Sequence, residues 1–266
     1  MKDSISGIKS FVLPIHFNRE EIETRLLEKS KTKSLKIIHV FVPLCDNEHQ
    51  GIVPVNSSLG NGMNLRTNLY WGAGYGIKTH FSRSSQWQLQ KSIVNPDSNV
   101  LERVIYKHSS YNAILIADAY RGDRMKECLE NYFAVLAGTK KDSITHGDSV
   151  LAMQSKVDLV VFNGHNGLMD ESIETIQSAD SIIKDAVAIA CVSKNYFSEK
   201  LNISGGYPLV CTNHLLAPEA YVLHNVIDAW LQNKTAEEIR MAAATGYNNI
   251  QKCGIRGASN LFSTGW

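Results

Sequence analysis

A histidine and a cysteine closely follow two consecutive apolar runs of the sequence. His165 comes shortly after the run Asp158–Phe162, and Cys191 comes directly after the run Ala186–Ala190. An imidazole beside a thiol can form the thiolate and can move protons during acyl transfer. Gly167 has no side chain, so its backbone N–H can approach a ligand as closely as an oxyanion donor requires. These residue types therefore predict nucleophilic chemistry at a cysteine.

The elements that would position these residues are strands of a parallel sheet. Five short apolar runs, rich in β-branched residues, have the length and composition of strands that are covered on both faces. Segments with helical patterning lie between them, and this alternation predicts an α/β fold. We expect a three-layer sandwich, with a mostly parallel, doubly wound sheet and helices on both faces. The predicted strands are Ile37–Leu44, Ala113–Ala117, Asp158–Phe162, Ala186–Ala190 and Tyr207–Cys211.

Signals for helix starts and ends mark the segments between the strands. Gly138 suits the position after a helix end, and Thr235 and Glu238 form a Thr-x-x-Glu capping box at a helix start. The predicted helices are Arg19–Ser30, Arg124–Ala137, a helix with Pro218 in its first turn, and a last helix that reaches about Lys252.

The polar, glycine-rich segment Asp46–Val100 interrupts the alternation. A structureless loop of that length is uncommon in a compact domain, so we predict one helix at about Asn68–Phe81 and loops over the carboxyl edge of the sheet elsewhere. Gly72, Gly74 and Gly76 lack the preceding strand of a nucleotide-binding loop. Close packing of the predicted helix is the favoured reason for these glycines.

The composition excludes several classes of protein. The chain has 266 residues, 44% of them apolar, with 27 Lys and Arg against 26 Asp and Glu and a formal net charge of +1. It is too apolar for intrinsic disorder, it lacks an apolar run that could span a membrane, and it has no excess charge to attract nucleic acid. We predict a single α/β domain over residues 1–266, with an N-terminal extension and helix at 1–35 and a long insertion at 46–100.

The five cysteines carry no signature of a disulfide framework. Their number is odd, no two form a Cys-x-x-Cys pair, and the N-terminus lacks the apolar core of a signal peptide. We therefore predict a reducing, cytoplasmic location in which the thiols stay free. Cys211 and His214 form a second possible reactive pair, but we expect Cys211 to be buried and His214 to line the cleft or cap the next helix.

Ligands of doubly wound sheets bind at the carboxyl ends of the strands. Adjacent parallel strands lie roughly 4.8 Å apart, so His165 and Cys191 can meet across one gap or face each other across a substrate. Other polar side chains also follow the predicted strands, and their position makes them candidates for a substrate pocket. These are Asp46, Arg66, Asp118, Arg121, Asn163, Asn166 and His214.

The stretches VVFNGHNG (Val160–Gly167) and VAIAC (Val187–Cys191) resemble a pattern of the caspase-like cysteine peptidases, in which one strand ends in His-Gly and the next in Ala-Cys. That group includes caspases, legumains, gingipains and clostripain-like enzymes. The resemblance implies a caspase-like fold, His165 as general acid and base, Cys191 as nucleophile, and the N–H groups of Gly167 and Cys191 as the oxyanion hole. It also implies a peptide or protein substrate and no metal or organic cofactor. The later stretch Tyr207–Ile250 is similar to the strand and helix pair that closes the fold in bacterial members.

The chain departs from the family pattern because Asn166 stands between the histidine and the glycine. Two other functions stay open. One is a non-catalytic ligand-binding or regulatory protein on the same fold, with residues 46–100 as its recognition surface. The other is a metal-dependent hydrolase that uses Asp46, Glu48, His49 and Asp118, because carboxylate and imidazole groups at strand ends can ligate a metal.

Overall fold

The computed structural model describes residues 17–140, 143–146, 149–152, 156–179 and 181–266. Its strands are β1 (Lys36–Pro43), β2 (Trp87–Val94), β3 (Val100–His108), β4 (Ala113–Tyr120), β5 (Ser143–His146), β6 (Ser149–Ala152), β7 (Leu159–Asn163), β8 (Lys184–Ile189), β9 (Gly206–Thr212) and β10 (Phe262–Ser263). Eight of them form one sheet in the order β10-β9-β8-β7-β1-β4-β3-β2, and β5 pairs with β6 separately.

The central strands are buried on both faces, which explains why their sequences are nearly continuous apolar runs. β1 pairs in parallel with β4 on one side and with β7 on the other, and β8 and β9 continue in the same direction. Every residue of β1, β4, β7 and β8 is buried. The five predicted strands and the mostly parallel sheet are therefore confirmed. At the margins, β2, β3 and β10 are antiparallel to their neighbours.

The helices cover both faces of the sheet, as predicted. They are α1 (Glu20–Lys31), α2 (Ile77–Arg83), α3 (Met125–Leu136), α4 (Ser193–Ile203), α5 (Ala220–Leu231), α6 (Ala236–Gln251) and α7 (Ile255–Leu261). Side chains of α3 and α4 pack on one face and those of the other helices pack on the opposite face. The capping box of Thr235 and Glu238 is present at the start of α6. Of the helices described, none has the length and apolar character to cross a membrane.

Residues 46–100 differ most from the prediction. The helix expected over Asn68–Phe81 is wrong in its first half, because turns and bends precede α2, which starts at Ile77. The Asn68 side chain holds these turns: its Oδ1 accepts the N–H groups of Cys45 and Tyr70, and its Nδ2 donates to the Cys45 carbonyl. The segment also contributes β2, an exposed strand at the edge of the sheet that no apolar run predicts.

Histidine side chains meet where α2 packs against α5. His80 Nε2 lies 3.2 Å from His224 Nδ1, and His224 Nε2 lies 3.9 Å from Asp228 Oδ2. Burial lowers the pKa of His80 to about 4, and the neighbouring His224 and Arg83 act in the same direction. Burial also lowers the pKa values of His224 and His108. The fold therefore favours the neutral form of these rings.

Acidification is expected to destabilise the protein through these histidines. The pKa of a histidine is about 6.5 in an unfolded chain, whereas that of His80 in the folded chain is about 4. Between these values the unfolded chain binds more protons, so the free energy of unfolding is highest above pH 6.5 and falls as the pH falls. These two pKa values correspond to about 2 kcal/mol between pH 7 and pH 5, and solvent screening of this partly exposed ring reduces the expected contribution of His80 to about 1 kcal/mol. Urea unfolding of a His80→Gln variant should show a pH dependence that is shallower by this amount, and an unchanged slope would contradict the assignment.

Candidate active site

His165 and Cys191 lie at the carboxyl ends of neighbouring parallel strands. Asn163, the last residue of β7, pairs with Ile189, the last residue of β8. His165 follows the end of β7 by two residues, and Cys191 follows the end of β8 by two residues. The sheet therefore places the two residues that the sequence singles out just beyond adjacent strand ends.

Asn166 joins the two strand ends directly. Its Nδ2 donates a hydrogen bond of 2.6 Å to the Cys191 carbonyl, and its Oδ1 accepts one from the Leu168 N–H. The side chain is fully buried, so it does not line a substrate pocket, contrary to the expectation from its position in the sequence. Asn166, which has no counterpart in the caspase-like pattern, instead links the turn after β7 to the backbone of Cys191.

Asp170 belongs to the site although nothing in the sequence pattern marks it. Its Oδ2 lies 2.5 Å from His165 Nε2 and also accepts the Gly51 N–H at 3.3 Å. The 3₁₀ turn Gly167–Met169 folds the chain back and brings the carboxylate to the imidazole. An acidic residue shortly after a histidine is common in any sequence. The spacing alone therefore does not predict the contact, which depends on this turn.

The Cys191 thiol is partly exposed. Its Sγ donates to the Leu216 carbonyl over 3.6 Å. Burial is the main reason that the pKa values of Tyr70 and Tyr247 are raised, and the nearby Cys191 contributes to both shifts. The thiol thus has one carbonyl acceptor and two phenol groups in its vicinity, and solvent reaches part of it.

Val192 turns the chain sharply between Cys191 and α4. It adopts φ 52° and ψ 31°, in the left-handed region that a β-branched residue rarely occupies. The Val192 N–H donates to the His214 carbonyl at 3.1 Å, which helps to hold this conformation. Backbone strain of this kind often occurs at functional sites, and a sharp turn after a strand projects the preceding side chain beyond the sheet.

The two N–H groups expected to form an oxyanion hole differ in their availability. The Gly167 N–H donates to the His165 carbonyl at 3.0 Å, and a Cβ on Gly167 would collide with the Met125 side chain. A glycine is therefore required here because the turn packs against α3, and its N–H already has a partner. The Cys191 N–H has no hydrogen-bond partner in the described part of the chain. Of the two expected oxyanion donors, only the Cys191 N–H is therefore free to bind an oxyanion.

The other four cysteines divide into buried and exposed thiols. Burial raises the pKa of Cys45 to about 11 and that of Cys211 to about 12. Burial also raises the pKa of Cys128 well above its ordinary value. Cys211 is buried, as the sequence predicts, whereas Cys253 is exposed. Of the five cysteines, Cys191 is therefore partly exposed and Cys253 is exposed.

Labelling with N-ethylmaleimide under native conditions is expected to modify Cys191 and Cys253 and to spare the three buried cysteines. The buried thiols are inaccessible, and at neutral pH they are protonated and hence unreactive. Peptide mapping by mass spectrometry after a brief reaction measures the occupancy of each site. In a Cys253→Ser variant, Cys191 should remain as the one modified cysteine. Labelling of Cys45 or Cys211 before the protein unfolds would contradict this burial pattern.

Asp118 belongs to the core, which corrects its assignment to a substrate pocket. Its carboxylate accepts hydrogen bonds of 2.6 and 2.7 Å from Arg103 and lies 2.9 Å from His39 Nε2. Burial alone would raise the pKa of Asp118, but Arg103 and His39 hold that pKa well below its ordinary value. The side chain is fully buried, so it stabilises the sheet and is out of reach of a substrate.

The metal cluster expected at the strand ends does not form. Asp46 Oδ2 lies 3.0 Å from His49 Nδ1, and Asp46 Oδ1 accepts the Glu48 N–H. Asp118 is occupied by Arg103 and takes no part. Among the residues that the structure describes, no group of three or more His, Cys, Asp or Glu side chains is arranged to hold a metal ion. Asp46 and its neighbours therefore stabilise the turn after β1.

Asn163 and His214 lie close to the strand ends as positioning residues. Asn163 Nδ2 donates to the Pro218 carbonyl at 2.8 Å, which ties β7 to the loop before α5. His214 is exposed, and its carbonyl, not its ring, contacts Val192. Both residues hold the loop between β9 and α5 beside Cys191.

Arg66 and Arg121 give no support to a substrate pocket. Arg121 forms a two-pronged ion pair with Asp123, with N–O distances of 2.9 and 2.8 Å. Arg66 is exposed on the long loop before α2. Neither guanidinium has a contact with His165 or Cys191 among the described residues.

Comparisons of the chain with protein-family models, with curated proteins and with solved structures find no match. The chemistry of the site therefore has to be inferred from the residues and distances of the chain itself.

Proposed function

We propose that the protein is a cysteine-dependent hydrolase that acts on peptide bonds, with Cys191 as nucleophile and His165 as general acid and base. The observation that carries the proposal is the register of β7 and β8, which brings an imidazole and a partly exposed thiol to adjacent strand ends. The Asn166 contact to the Cys191 carbonyl fixes these ends against each other. The resemblance to the caspase-like cysteine peptidases supports the same roles, and we infer a caspase-like form of the α/β sandwich.

Peptide hydrolysis at this site would take two steps. His165 takes the thiol proton, the Cys191 sulfur bonds to the substrate carbonyl carbon, the C–N bond breaks, and the amine leaves with the proton from His165. His165 then takes a proton from water, the hydroxide attacks the thioester, and the acid product leaves as the thiol is restored. The Cys191 N–H, for which the described residues offer no partner, would stabilise the oxyanion in both steps.

Asp170 would orient the imidazole of His165. Because Asp170 Oδ2 is hydrogen-bonded to Nε2, Nδ1 is the ring nitrogen that exchanges protons with Cys191 and the substrate. A carboxylate in this position also stabilises the imidazolium that forms when the thiol loses its proton. We therefore assign Asp170 as a positioning residue that acts through His165.

Exposed apolar side chains on segments that contact Asp170 and Cys191 favour a substrate with apolar residues beside the scissile bond. Val53 (87% exposed), Met169 and Leu215 (71% exposed) lie on three separate loops. Gly51, on the loop of Val53, donates its N–H to Asp170, and Leu216, next to Leu215, accepts a hydrogen bond from the Cys191 thiol. Met169 directly precedes Asp170 in the sequence. Exposed apolar patches with polar surroundings commonly mark interaction surfaces, so selectivity would come from local contacts.

A reducing compartment, such as the cytoplasm, fits the proposed chemistry. The five cysteines are all free, and structural disulfides are rare in reducing compartments. A nucleophilic thiol that solvent reaches would also be protected there from oxidation.

Covalent labelling with a peptidyl acyloxymethyl ketone that carries apolar residues tests the proposal. We expect alkylation of Cys191 at least about 10²-fold faster than that of Cys253, the exposed reference thiol, because a general base activates only Cys191. The His165→Ala variant should lose this advantage. If Cys191 reacts no faster than Cys253, or if hydrolysis persists in Cys191→Ala, the proposal fails.

One observation favours a second candidate, a non-catalytic ligand-binding role on the same fold. The Gly167 N–H donates to the His165 carbonyl, so the second donor of the expected oxyanion hole is occupied. The exposed side chains of Val53, Met169 and Leu215 would then bind a peptide without cleaving it. Binding of the peptidyl ligand without an adduct, and with equal affinity in Cys191→Ala, would support this candidate over the hydrolase.

A further inference from the structure

A large cavity lies beyond the amino ends of β1 and β4, whereas Cys191 lies beyond the carboxyl end of β8. It has a volume of about 780 Å³ and opens where β1 begins and where α1 and α5 end. Its lining includes four lysines, namely Lys29, Lys33, Lys36 and Lys234. None of the lining residues that the structure describes is acidic. The lining is therefore basic, although Lys29 is paired with Asp158 and Lys234 with Glu238, which lie outside it. It also carries hydroxyl and amide groups.

Lys36 distinguishes this cavity from an ordinary lysine-rich surface. The residue is 4% exposed, its Nζ donates to Asn233 Oδ1 at 2.9 Å, and Nζ lies 5.4 Å from the centre of the Trp230 ring. Within the described ranges it forms no salt bridge, since the Asp158 carboxylate is bound by Lys29 at 2.6 Å and attracts the charge of Lys36 only from a longer distance. Burial of a charge without a close partner is unfavourable, and burial lowers the pKa of Lys36 to about 8, with the charge of Lys29 acting in the same direction. An anion in the cavity would supply a closer counter-charge.

The lysines at the cavity rim are not needed to cap the two helices that end there. After α1, the Ser34 N–H donates to the Lys29 carbonyl, and after α5, the Lys234 N–H donates to the Ala229 carbonyl. This backbone pattern satisfies the last carbonyls of a helix without side chains. The last carbonyls of the two helices therefore do not require the ammonium groups of Lys33 and Lys234.

We propose that this cavity binds a small organic phosphate. Lysine ammonium groups bind phosphate oxygens as point charges, and Lys36 provides one charge at the floor while Lys33 and Lys234 provide two at the rim. Lys234 also pairs with the exposed Glu238 at 3.2 Å, a contact of little energetic value that a ligand can replace.

The organic part of the ligand follows from the size and walls of the cavity. Its volume is in the range of sites for small organic ligands and exceeds the needs of a bare phosphate ion. Tyr111, 40% exposed, and Leu231 provide an aromatic and an apolar wall. The site is separate from the proposed hydrolase site, so it can be tested without any assay of hydrolysis.

Isothermal titration calorimetry with adenosine 5′-monophosphate tests the proposal. The unaltered chain is expected to bind it saturably and more tightly than inorganic phosphate, and adenosine should give no saturable heat. Lys36→Met removes the buried ammonium, and the combined Lys33→Gln and Lys234→Gln changes remove the rim charges. Each is expected to weaken binding at least about tenfold, the usual loss for a charge-assisted hydrogen bond. Lys31→Gln is the matched control, since Lys31 is exposed at the end of α1 and outside the cavity lining.

Several results would overturn the proposal. These are the absence of saturable binding of the monophosphate, equal weakening by Lys31→Gln, and binding of adenosine or inorganic phosphate as tight as that of the monophosphate. Thermal unfolding of each variant accompanies the titrations. Lys36→Met should be about as stable as the unaltered chain, because the change removes a buried charge that has no close carboxylate partner within the described ranges. If Lys36→Met does not fold, the rim variant decides the question.

Discussion

A Cys191→Ala variant is expected to retain less than about 10⁻³ of the hydrolytic activity of the unaltered chain. Without the sulfur no thioester can form. A His165→Ala variant should fall to a similar level, because the thiol then lacks a base and the leaving amine lacks a proton donor. Values of kcat/KM for a fluorogenic peptide with apolar residues measure both losses. The double variant should lose no more than either single variant, since the two residues act as a unit.

Substitution of Asp170 tests whether its carboxylate supports His165. Asp170→Asn keeps the size of the side chain but removes the charge that faces His165 Nε2, and it is expected to lower kcat by about 10²-fold or more. Glu171→Gln removes the same charge from the next residue, which is exposed, and should change kcat by less than about twofold. Equal losses in the two variants would indicate a general effect of charge and would contradict the role assigned to Asp170.

Replacing Asp118 with alanine is expected to lower the free energy of unfolding by about 3–5 kcal/mol. Asp118 stands directly opposite Arg103 in the register of β4 and β3, and its removal takes away the carboxylate that accepts two hydrogen bonds from this buried guanidinium. Urea unfolding at pH 7 measures the change. The folded pKa of Asp118 lies well below the unfolded value, so its contribution is present at neutral pH and is lost as the pH falls below about 4.

A double variant separates the ion pair from the packing of its side chains. Arg103→Met combined with Asp118→Leu leaves neither charge of this pair in the core, so it is expected to be less destabilised than Asp118→Ala. Two results would contradict the importance of the buried pair. One is a decrease of less than about 1 kcal/mol in the free energy of unfolding of Asp118→Ala. The other is a double variant that is less stable than Asp118→Ala.

The parallel sheet could be predicted because a strand that is buried on both faces has a nearly continuous apolar sequence. β4 and β8 are apolar along most of their length and sealed by helices above and below. The alternation of strands with helices then fixes the general architecture. The capping box of Thr235 and Glu238 could be predicted as well, because it depends on four neighbouring residues only.

β2 and the start of α2 could not be predicted, because long-range contacts decide them. β2 is mostly exposed, with Trp87 buried and Ile93 half-buried, so it lacks the continuous apolar run of the central strands, and its pairing with β3 holds it in place. The turns before α2 depend on Asn68, whose side chain reaches back to the backbone of Cys45. Local propensity carries no information about such contacts.

The candidate site could be predicted only where strand ends determine it. His165 and Cys191 follow directly from the order of β7 and β8. Asp170 depends on a 3₁₀ turn that returns the chain to the imidazole. Gly167 illustrates the opposite case, because its lack of a side chain serves packing against Met125 on α3, a contact that the sequence does not reveal.

The Asn166 side chain links the two strand-end turns to each other before any ligand binds. Its hydrogen bonds to the Cys191 carbonyl and the Leu168 N–H link these turns in the free chain. Fixing a backbone residue costs roughly 1–2 kcal/mol of conformational entropy, and here that loss occurs when the chain folds. A ligand that arrives later finds both turns already fixed, so its affinity is not lowered by the need to order them.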